Sequence, residues 1–412
     1  MSTKVCVPIM GQDKKTVLEQ TEKVSEMNPD IIEFRADYLD ESSRRNIAEI
    51  LNTIKKNIGN IELIFTFRTK AEGGESEISV SDYENLCLTA APVCDYVDVE
   101  VAGYFDVAKK MIPDIQRAGA KVIGSNHHFD RTPDDEEIIE IMKRMESAGA
   151  DICKMAVMPQ AKEDVERFMK VSEKLKDMIS VRIITMSMGE LGSISRVCTK
   201  QTGSCITFAT GIQSSAPGQI DITMARKLIK INQGCHLKGN IVLIGFMGTG
   251  KTTVSKALSA ITGFQEIDTD AYIVKQQGRS ISEIFEKEGE AFFRNLETNA
   301  LKDISEKEGQ IISCGGGAVL RDENVKILKE KGIIILLTAT PETVFERVKD
   351  HTHRPILNSD MSLEHIKELM SQREPRYQEV ADVIVNVDAN DRVLTCYHII
   401  TELEKRGYLL IP

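Results

Sequence analysis

Short runs of β-branched residues alternate with amphipathic helical stretches eight times between residue 4 and about residue 230 of this 412-residue chain. Strands that are separated by helical stretches pair in parallel, so the alternation predicts βαβ units. The predicted strands are residues 5–10, 31–36, 62–67, 96–101, 121–126, 151–157, 181–186 and 205–210. Eight units of this length predict a closed (β/α)8 TIM barrel.

A chain of this length exceeds what one hydrophobic core usually organises, so a second domain is expected. A polar segment with two glycines, residues 232–239, precedes a new apolar strand, IVLIGF. We therefore predict a barrel over residues 1–231, a linker over 232–239 and a second α/β domain over 240–412. Further predicted strands at 311–314, 333–338 and 383–387 indicate a P-loop domain with a three-layer α/β/α arrangement.

Charge and cysteine usage limit the partners and the compartment. The net charge of −11 argues against a general nucleic-acid or anionic membrane surface, because such partners reward clustered basic residues. The nine cysteines are scattered and form no Cys-x-x-Cys pair, which is typical of reduced thiols. The start shows no signal-peptide pattern, and no apolar run reaches the length of a membrane span. We expect a cytoplasmic protein.

The segment from Gly245 to Thr252 matches the pattern Gly-x4-Gly-Lys-Thr directly after a predicted strand. Glycines allow successive backbone N–H groups to converge on phosphate oxygens at a helix N-terminus. Lys251 adds a charge for the β and γ phosphates, and the Thr252 hydroxyl suits Mg²⁺. The residues predicted to bind MgATP here are Gly245, Gly248, Thr249, Gly250, Lys251, Thr252 and Thr253.

Weaker motifs follow the P-loop in a fixed order. Asp268 and Asp270 are predicted to share one strand face, with a turn or a helix start as the alternative. Arg294 and Glu297 stand at i, i+3 on a predicted helix, and a triple glycine, residues 315–317, follows an apolar strand. Together these motifs resemble shikimate kinase over residues 240–412.

That resemblance implies roles for particular residues. Asp270 and Lys251 would be catalytic, with Asp270 orienting or deprotonating the attacking hydroxyl, and Asp268 would join Thr252 at the Mg²⁺ ion. Arg347 would contact adenine, and Arg354 would belong to the ATP-binding lid, where its side chain closes on the transferred phosphate. The residues implied to hold shikimate are Asp270, Arg294, Gly315, Gly316, Gly317 and Arg373.

In the first domain, a lysine interrupts the apolar predicted strand ICKMAVM at position 154. A buried ammonium must be paired or functional, and desolvation of an amine favours its neutral, nucleophilic form. A salt bridge to a neighbouring strand is the alternative. Glu33 and Arg35 alternate on the second strand and so point to one side of the sheet.

Six segments in order resemble type I 3-dehydroquinate dehydratase over residues 1–230: EFRAD, FTFRTKAEGGE, SNHHF, DICKMAVMP, SMGELGSISR and SSAPGQI. The resemblance implies that Lys154 is the Schiff-base lysine, His127 the general acid and base, and Glu72 the carboxylate that orients His127. No cofactor is implied for this half. The residues implied to bind substrate are Glu33, Arg35, Arg68, Arg196, Ser215 and Gln219, with Arg196 facing the carboxylate.

Two adjacent histidines occur where the family commonly has His-Asp. Successive strand residues face opposite sides, so only one of His127 and His128 is expected to point at Lys154. The register of the motif favours His127, with His128 as the alternative. We expect the catalytic imidazole to titrate near neutrality.

The two resemblances together predict a bifunctional enzyme of the shikimate pathway whose small-molecule substrates are 3-dehydroquinate, shikimate and ATP. The resemblance implies that an NADPH-dependent reduction separates its two steps, and the chain has no Gly-x-Gly-x-x-Gly fingerprint for that cofactor. Association with a shikimate dehydrogenase is therefore a candidate, and the family resemblance implies a homodimer through the barrel. An aldolase-type Schiff-base barrel and a non-catalytic ATP-sensing second domain are the alternatives.

Overall fold

A computed structural model describes residues 2–349, 362–389 and 391–411. The chain forms two compact units, residues 1–229 and 230–412. The strands of the first unit are β1 (Lys4–Ile9), β2 (Ile31–Arg35), β3 (Glu62–Thr66), β4 (Tyr96–Glu100), β5 (Lys121–His128), β6 (Ile152–Val157), β7 (Arg182–Ser187) and β8 (Ile206–Phe208). Each of the eight predicted strands is confirmed, with ends that differ by a few residues.

Helices follow these strands around the outside of the sheet. They are α1 (Lys14–Glu26), α2 (Glu41–Arg44), α3 (Ile47–Ile58), α4 (Val80–Ala90), α5 (Phe105–Ala118), α6 (Asp135–Ser147), α7 (Lys162–Met178), α8 (Gly189–Gly192), α9 (Thr199–Thr202) and α10 (Ile222–Gln233). Helix α3 shows why they pack there, since Ile47, Ile50, Leu51, Ile54 and Ile58 recur at helical spacing and are all buried.

The eight strands are parallel and follow the order β7-β6-β5-β4-β3-β2-β1-β8. An isolated parallel bridge between Ile183 and Ser204 links the two ends, so the barrel is nearly closed. Alternate strand residues fill its interior, where Ile31, Ile64, Ile123 and Ile152 form an apolar layer. In these four strands the next inward positions are polar, namely Glu33, Thr66, Ser125 and Lys154, which places polar side chains toward the carboxyl ends of the strands. Strands β7 and β8 instead continue with the apolar Met186 and Phe208.

The second unit has a five-stranded parallel sheet in the order β11-β12-β10-β13-β14. Its strands are β10 (Asn240–Ile244), β11 (Gln265–Asp268), β12 (Gln310–Ser313), β13 (Gly332–Thr338) and β14 (Val383–Asn386). Its helices are α11 (Lys251–Thr262), α12 (Thr269–Gln277), α13 (Ile281–Ser305), α14 (Asp322–Lys331), α15 (Pro341–Val348), α16 (Leu363–Val380) and α17 (Arg392–Lys405). This arrangement confirms the predicted α/β class.

The central strand β10 is buried along its whole length, and the P-loop joins it directly to α11. A two-stranded antiparallel ribbon pairs β9 (His236–Leu237) with β15 (Leu409–Leu410), so part of the segment 232–239 is structured. Within the described residues, no helix is both long and apolar enough to cross a membrane.

Candidate active sites

A cavity opens at the carboxyl ends of the barrel strands, the end at which TIM-barrel active sites assemble. The side chains that line it come from strands β2, β5, β6, β7 and β8 and from the loops after β3, β5, β7 and β8. Its lining residues include Glu33, Arg35, Arg68, Glu72, His127, Phe129, Lys154, Met186, Met188, Phe208, Ser215 and Gln219. The fold therefore brings together all but one of the residues predicted for the barrel site, the exception being Arg196.

Lys154 points into the barrel from β6 and is 4% exposed. Its Nζ atom donates a hydrogen bond to Oδ2 of Asp98 at 2.9 Å and lies 4.0 Å from Oε1 of Glu33. The Nζ atom also lies 4.4 Å from the centre of the Phe208 ring, within the range of a cation–π contact. The buried amine thus has a carboxylate partner, which the sequence left unidentified.

Arg68 follows β3, and its guanidinium contacts Glu72 Oε2 at 3.5 Å and three further acidic or polar groups. Its guanidinium donates to Asp98 Oδ1 at 2.8 Å, to Glu100 Oε1 at 3.0 Å and to Ser125 Oγ at 3.0 Å. Burial opposes ionisation of Asp98, but Arg68 and Lys154 outweigh it and lower the pKa of Asp98 to about 2. Arg68 is therefore both a lining residue and the centre of a buried ionic network.

His127 and Glu72 form a buried pair beside the cavity. The 3₁₀ turn Lys70–Glu72 ends at Gly73, whose φ of +82° favours glycine, and it directs Glu72 toward β5. Glu72 Oε2 lies 2.8 Å from His127 Nδ1, while Oε1 accepts a hydrogen bond from Asn126 Nδ2 at 3.1 Å. Burial and the neighbouring Glu100 raise the pKa of Glu72 to about 8.

The expected titration of His127 near neutrality is wrong. Burial, together with the positive charges of Arg68 and Lys154, lowers the pKa of His127 well below its ordinary value. The adjacent His128 is half-buried and does not line the cavity, as the alternation along a strand requires. The geometry therefore favours His127, and not His128, as the histidine that faces substrate.

Arg196 lies in the 3₁₀ turn Ser193–Arg196 and is 2% exposed. Its guanidinium donates to the carbonyl oxygens of Phe208 and Pro217 at 3.4 and 3.1 Å, and within the described residues it forms no ion pair. Burial lowers the pKa of Arg196 to about 10. A buried cation that lacks a counter-ion is suited to bind an anionic ligand.

Ser215 and Gln219 belong to the loop after β8. Gln219 Nε2 donates to Ser215 Oγ at 3.0 Å, and Gln219 Oε1 accepts from the Ser215 backbone N–H at 2.9 Å. At the end of β2, Arg35 donates two hydrogen bonds of 2.8 Å to the fully buried Asp37. These contacts hold the predicted binding groups in place before any ligand enters.

The second unit presents the P-loop between β10 and α11. Gly248 and Gly250 have φ near +80°, and a Cβ atom on Gly248 would lie 2.7 Å from Val348. Lys251 Nζ donates to the carbonyl oxygens of Gly245 and Phe246 at 2.9 and 3.0 Å. Thr249 is buried and bonds to Phe246 O, whereas Thr253 is half-buried on α11.

The prediction that Asp268 and Asp270 share one strand face is wrong. Strand β11 ends at Asp268, and Asp270 lies in the first turn of α12. Asp268 Oδ1 caps that helix by accepting from the backbone N–H groups of Asp270 and Ala271. Its Oδ2 accepts from Thr252 Oγ1 at 3.0 Å, so two hard oxygen ligands stand together and fit the preference of Mg²⁺.

A second cluster surrounds the triple glycine after β12. Arg294 and Glu297 pair at 3.0 Å on α13, as their spacing predicts. A Cβ atom on Gly317 would lie 2.3 Å from the Arg294 guanidinium, and one on Gly315 would lie 2.7 Å from Asp270 Oδ1. The glycines are therefore required for this close approach of the Asp270 and Arg294 side chains to the loop.

The remaining predicted arginines lie around this cluster and the P-loop. Arg347 donates to Val387 O at 2.8 Å, and its Nη1 lies 3.5 Å from Gly248 O. Arg373 lies over the ring of Phe246, with 5.9 Å between the guanidinium carbon and the ring centre. The predicted lid residue Arg354 lies outside the described residues.

Comparison with known proteins assigns the two halves. A family model described as type I 3-dehydroquinase matches residues 5–235, and one described as shikimate kinase matches residues 247–404. The chain belongs to the type I 3-dehydroquinase family, fused to a shikimate kinase. It is thus a bifunctional shikimate-pathway enzyme that dehydrates 3-dehydroquinate through a lysine Schiff base and phosphorylates shikimate with ATP.

Three known proteins are each similar to one half of the chain. The 3-dehydroquinate dehydratase of Neisseria meningitidis serogroup C is 38% identical over 229 residues, which cover 54% of this chain and 89% of that protein. The crystal structure of 3-dehydroquinate dehydratase from Geobacillus kaustophilus is 33% identical, with a TM-score of 0.54, and covers 57% of this chain and 92% of that one. The shikimate kinase from Acinetobacter baumannii in complex with shikimate is 31% identical and covers 41% of this chain and 94% of that one, with a TM-score of 0.40.

Several side chains of the 3-dehydroquinase and shikimate kinase sites escaped prediction. Asp98 and Glu100 occupy alternate positions of β4 and point inward. The two acidic residues at alternate positions of the apolar segment YVDVEV are the sequence signal that could have identified them. Ser125 belongs to the segment SNHHF, but no role was predicted for it. In the kinase half, Tyr377 donates to Gly316 O at 2.5 Å, and no local pattern indicates that contact.

Proposed function

We propose that Lys154 is the nucleophile of the dehydratase half, that His127 is its general acid and base, and that Glu72 orients His127. The convergence of Lys154 Nζ and the Glu72–His127 pair on one cavity supports this most directly. The amine attacks the ring ketone, the iminium acidifies the adjacent C–H bond, and His127 removes that proton and assists the departure of hydroxide as water.

We assign substrate binding in this half to six residues, Glu33, Arg35, Arg68, Arg196, Ser215 and Gln219. Arg196 is the group best suited to the carboxylate of the substrate because it is buried and has no acidic partner within the described residues. We propose no cofactor for this half.

For the kinase half, we propose that Lys251 and the P-loop bind the ATP phosphates, with Arg347 at adenine and Arg354 on the lid. Thr252 and Asp268 would hold Mg²⁺, which supplies charge neutralisation at the phosphates. Asp270 orients or deprotonates the attacking hydroxyl of shikimate. Arg294, Arg373 and the glycines 315–317 bind that substrate, in keeping with the cluster that they form.

We further propose that the halves act as separate catalytic modules, residues 1–231 and 240–412, in a cytoplasmic protein that dimerises through its barrel. A shikimate dehydrogenase would bind the chain and supply the intervening reduction. Sedimentation of the full chain tests the dimer, and co-purification with a tagged shikimate dehydrogenase tests the association. A monomer, or the absence of co-purification, would refute the respective proposal.

The catalytic assignments are tested by two variants of the full chain that control for each other. Borohydride reduction in the presence of 3-dehydroquinate should attach the substrate to Lys154, as located by peptide mass mapping. Lys154→Ala should abolish dehydration and leave shikimate-dependent ATP consumption intact, whereas Lys251→Ala should do the reverse. A trapped adduct on another lysine would overturn the assignment of Lys154.

A further inference from the structure

Lys154 is held by a carboxylate that lies outside the substrate cavity. Asp98 Oδ2 accepts the Lys154 hydrogen bond at 2.9 Å, and Asp98 is 1% exposed. Lys154 and Glu33 line the cavity, but Asp98 does not. We propose that Asp98 is the counter-ion of the Schiff base, pairing first with the ammonium of the resting enzyme and then with the N–H of the iminium. The proposal rests on the assignment of Lys154 as the nucleophile.

Formation of the iminium conserves the charge at this nitrogen. The ammonium first gives up a proton, the neutral amine adds to the carbonyl carbon, and the C–O bond then breaks as water leaves. The departing oxygen carries two of the three ammonium hydrogens, so an ammonium and a ketone become an iminium with one N–H and a water molecule. One fixed carboxylate can therefore serve both states, because the positive charge stays beside it.

The two oxygens of Asp98 have different partners. Oδ1 accepts hydrogen bonds from Arg68 Nη2 at 2.8 Å and from Ser125 Oγ at 2.6 Å, while Oδ2 bonds to Lys154. Burial opposes ionisation of Asp98, but Arg68 and Lys154 keep its pKa low, at about 2. Asp98 thus stays a carboxylate and is too weak a base to take the iminium proton. Proton abstraction is left to His127, whose Nδ1 is bonded to Glu72.

Other groups around the nitrogen do not replace this contact. Glu33 lies further from Nζ, at 4.0 Å, and its Oε1 accepts a hydrogen bond from Thr66. The other charged and titratable groups that face this pair from the barrel are Cys6, Arg68, Glu72, Glu100 and His127. Helix α4 adds Tyr83 and Cys87 behind β4.

Replacement of Asp98 by Asn is compatible with folding on charge grounds. Four acidic side chains, Glu33, Glu72, Asp98 and Glu100, surround the two basic ones, Arg68 and Lys154. The Asn amide has nearly the same size as the carboxylate. The substitution removes one negative charge from a cluster in which acidic side chains outnumber basic ones. Arg68 retains Glu100 as a partner at 3.0 Å.

The test measures how iminium trapping depends on pH. The full chain and its Asp98→Asn variant are incubated with 3-dehydroquinate and cyanoborohydride, which reduces the protonated iminium, and the adduct on Lys154 is quantified by mass spectrometry. We expect the alkaline midpoint of trapping to lie about one pH unit or more lower in Asp98→Asn than in the wild type. At alkaline pH, where the adduct yield of both proteins falls with pH, the variant should then give roughly ten-fold less adduct. The alkaline limb of kcat should move with it. A purely structural role would lower trapping at every pH without moving the midpoint.

Ser125→Ala should shift the alkaline midpoint of trapping in the opposite direction. Loss of its hydrogen bond to Oδ1 leaves more negative charge on Oδ2, so the midpoint should rise. The proposal is overturned if the wild type and Asp98→Asn have the same alkaline midpoint of trapping. It is also overturned if Glu33→Gln shifts that midpoint and Asp98→Asn does not. If circular dichroism shows that Asp98→Asn is unfolded, an unmoved or lowered midpoint in Ser125→Ala overturns it. Failure of the wild type to trap substrate on Lys154 would instead refute the assigned nucleophile.

Discussion

The Nδ1 atom of His127 lies 2.8 Å from Oε2 of Glu72, and the pKa values of the two groups move in opposite directions. That of Glu72 rises to about 8 through burial and the neighbouring Glu100, while that of His127 falls through burial and two nearby cations. Burial is the largest cause of both shifts, because a desolvated site disfavours the charged form of either group. With Nδ1 bonded to Glu72, Nε2 is the ring nitrogen left to exchange a proton with the substrate.

Glu72→Gln should change how the stability of the barrel depends on pH. The pKa of Glu72 is raised in the folded state, so its stabilising contribution is complete below about pH 4.5 and is lost as pH rises through about 8. We expect the variant to gain about 2–4 kcal/mol in free energy of unfolding, relative to wild type, between about pH 5 and about pH 9. Urea unfolding followed by circular dichroism measures this gain. Glu77→Gln, at a side chain that is 84% exposed, is the control, and a gain that does not vary with pH would contradict the prediction.

The two adjacent histidines should differ sharply in their effect on dehydration. His127 faces the cavity and contacts Glu72, whereas His128 does not line the cavity. We expect His127→Ala to lower kcat for dehydration by about 10²-fold or more, as for the loss of a general acid and base. His128→Ala serves as the matched control and should retain kcat within a few-fold. Retained turnover in His127→Ala with loss in His128→Ala would reverse the assignment.

Arg196→Met should stabilise the barrel and weaken substrate binding at the same time. The guanidinium is buried without an acidic partner in the described part of the chain, so its removal relieves a desolvation cost. We expect the free energy of unfolding to rise by about 1 kcal/mol and KM for 3-dehydroquinate to rise by roughly 10- to 100-fold. Urea unfolding and steady-state kinetics report the two effects. A fall in stability with unchanged KM would show that Arg196 is structural.

Gly317→Ala should impair only the kinase half. The new methyl group would overlap the Arg294 guanidinium at 2.3 Å and push it away from Glu297. We expect KM for shikimate to rise by about 10-fold or more, with dehydration unchanged on the same chain. Gly234→Ala is a suitable control because no heavy atom lies within 4 Å of its added Cβ. Normal phosphorylation in Gly317→Ala would contradict the binding role of this cluster.

Local sequence patterns predicted the strands and helices well. They could not decide whether the residues at the end of a strand continue it or begin a helix. The spacing of Asp268 and Asp270 fits a strand face as well as a helix start, and only the turn after β11 decides for the helix. Likewise, the pKa of His127 could not be predicted from the residue type. It depends on burial and on Arg68 and Lys154, which reach it from the loop after β3 and from β6.

The sequence by itself determined the eight-fold βα alternation, the P-loop and the presence of a lysine in a buried strand, because each is encoded within a few consecutive residues. Only the tertiary structure decided which carboxylate reaches that lysine. Asp98 is 56 residues from Lys154, and β5 lies between their strands in the sheet. Closure of the sheet into a barrel turns inward side chains of non-adjacent strands toward one axis, where they meet at hydrogen-bonding distance.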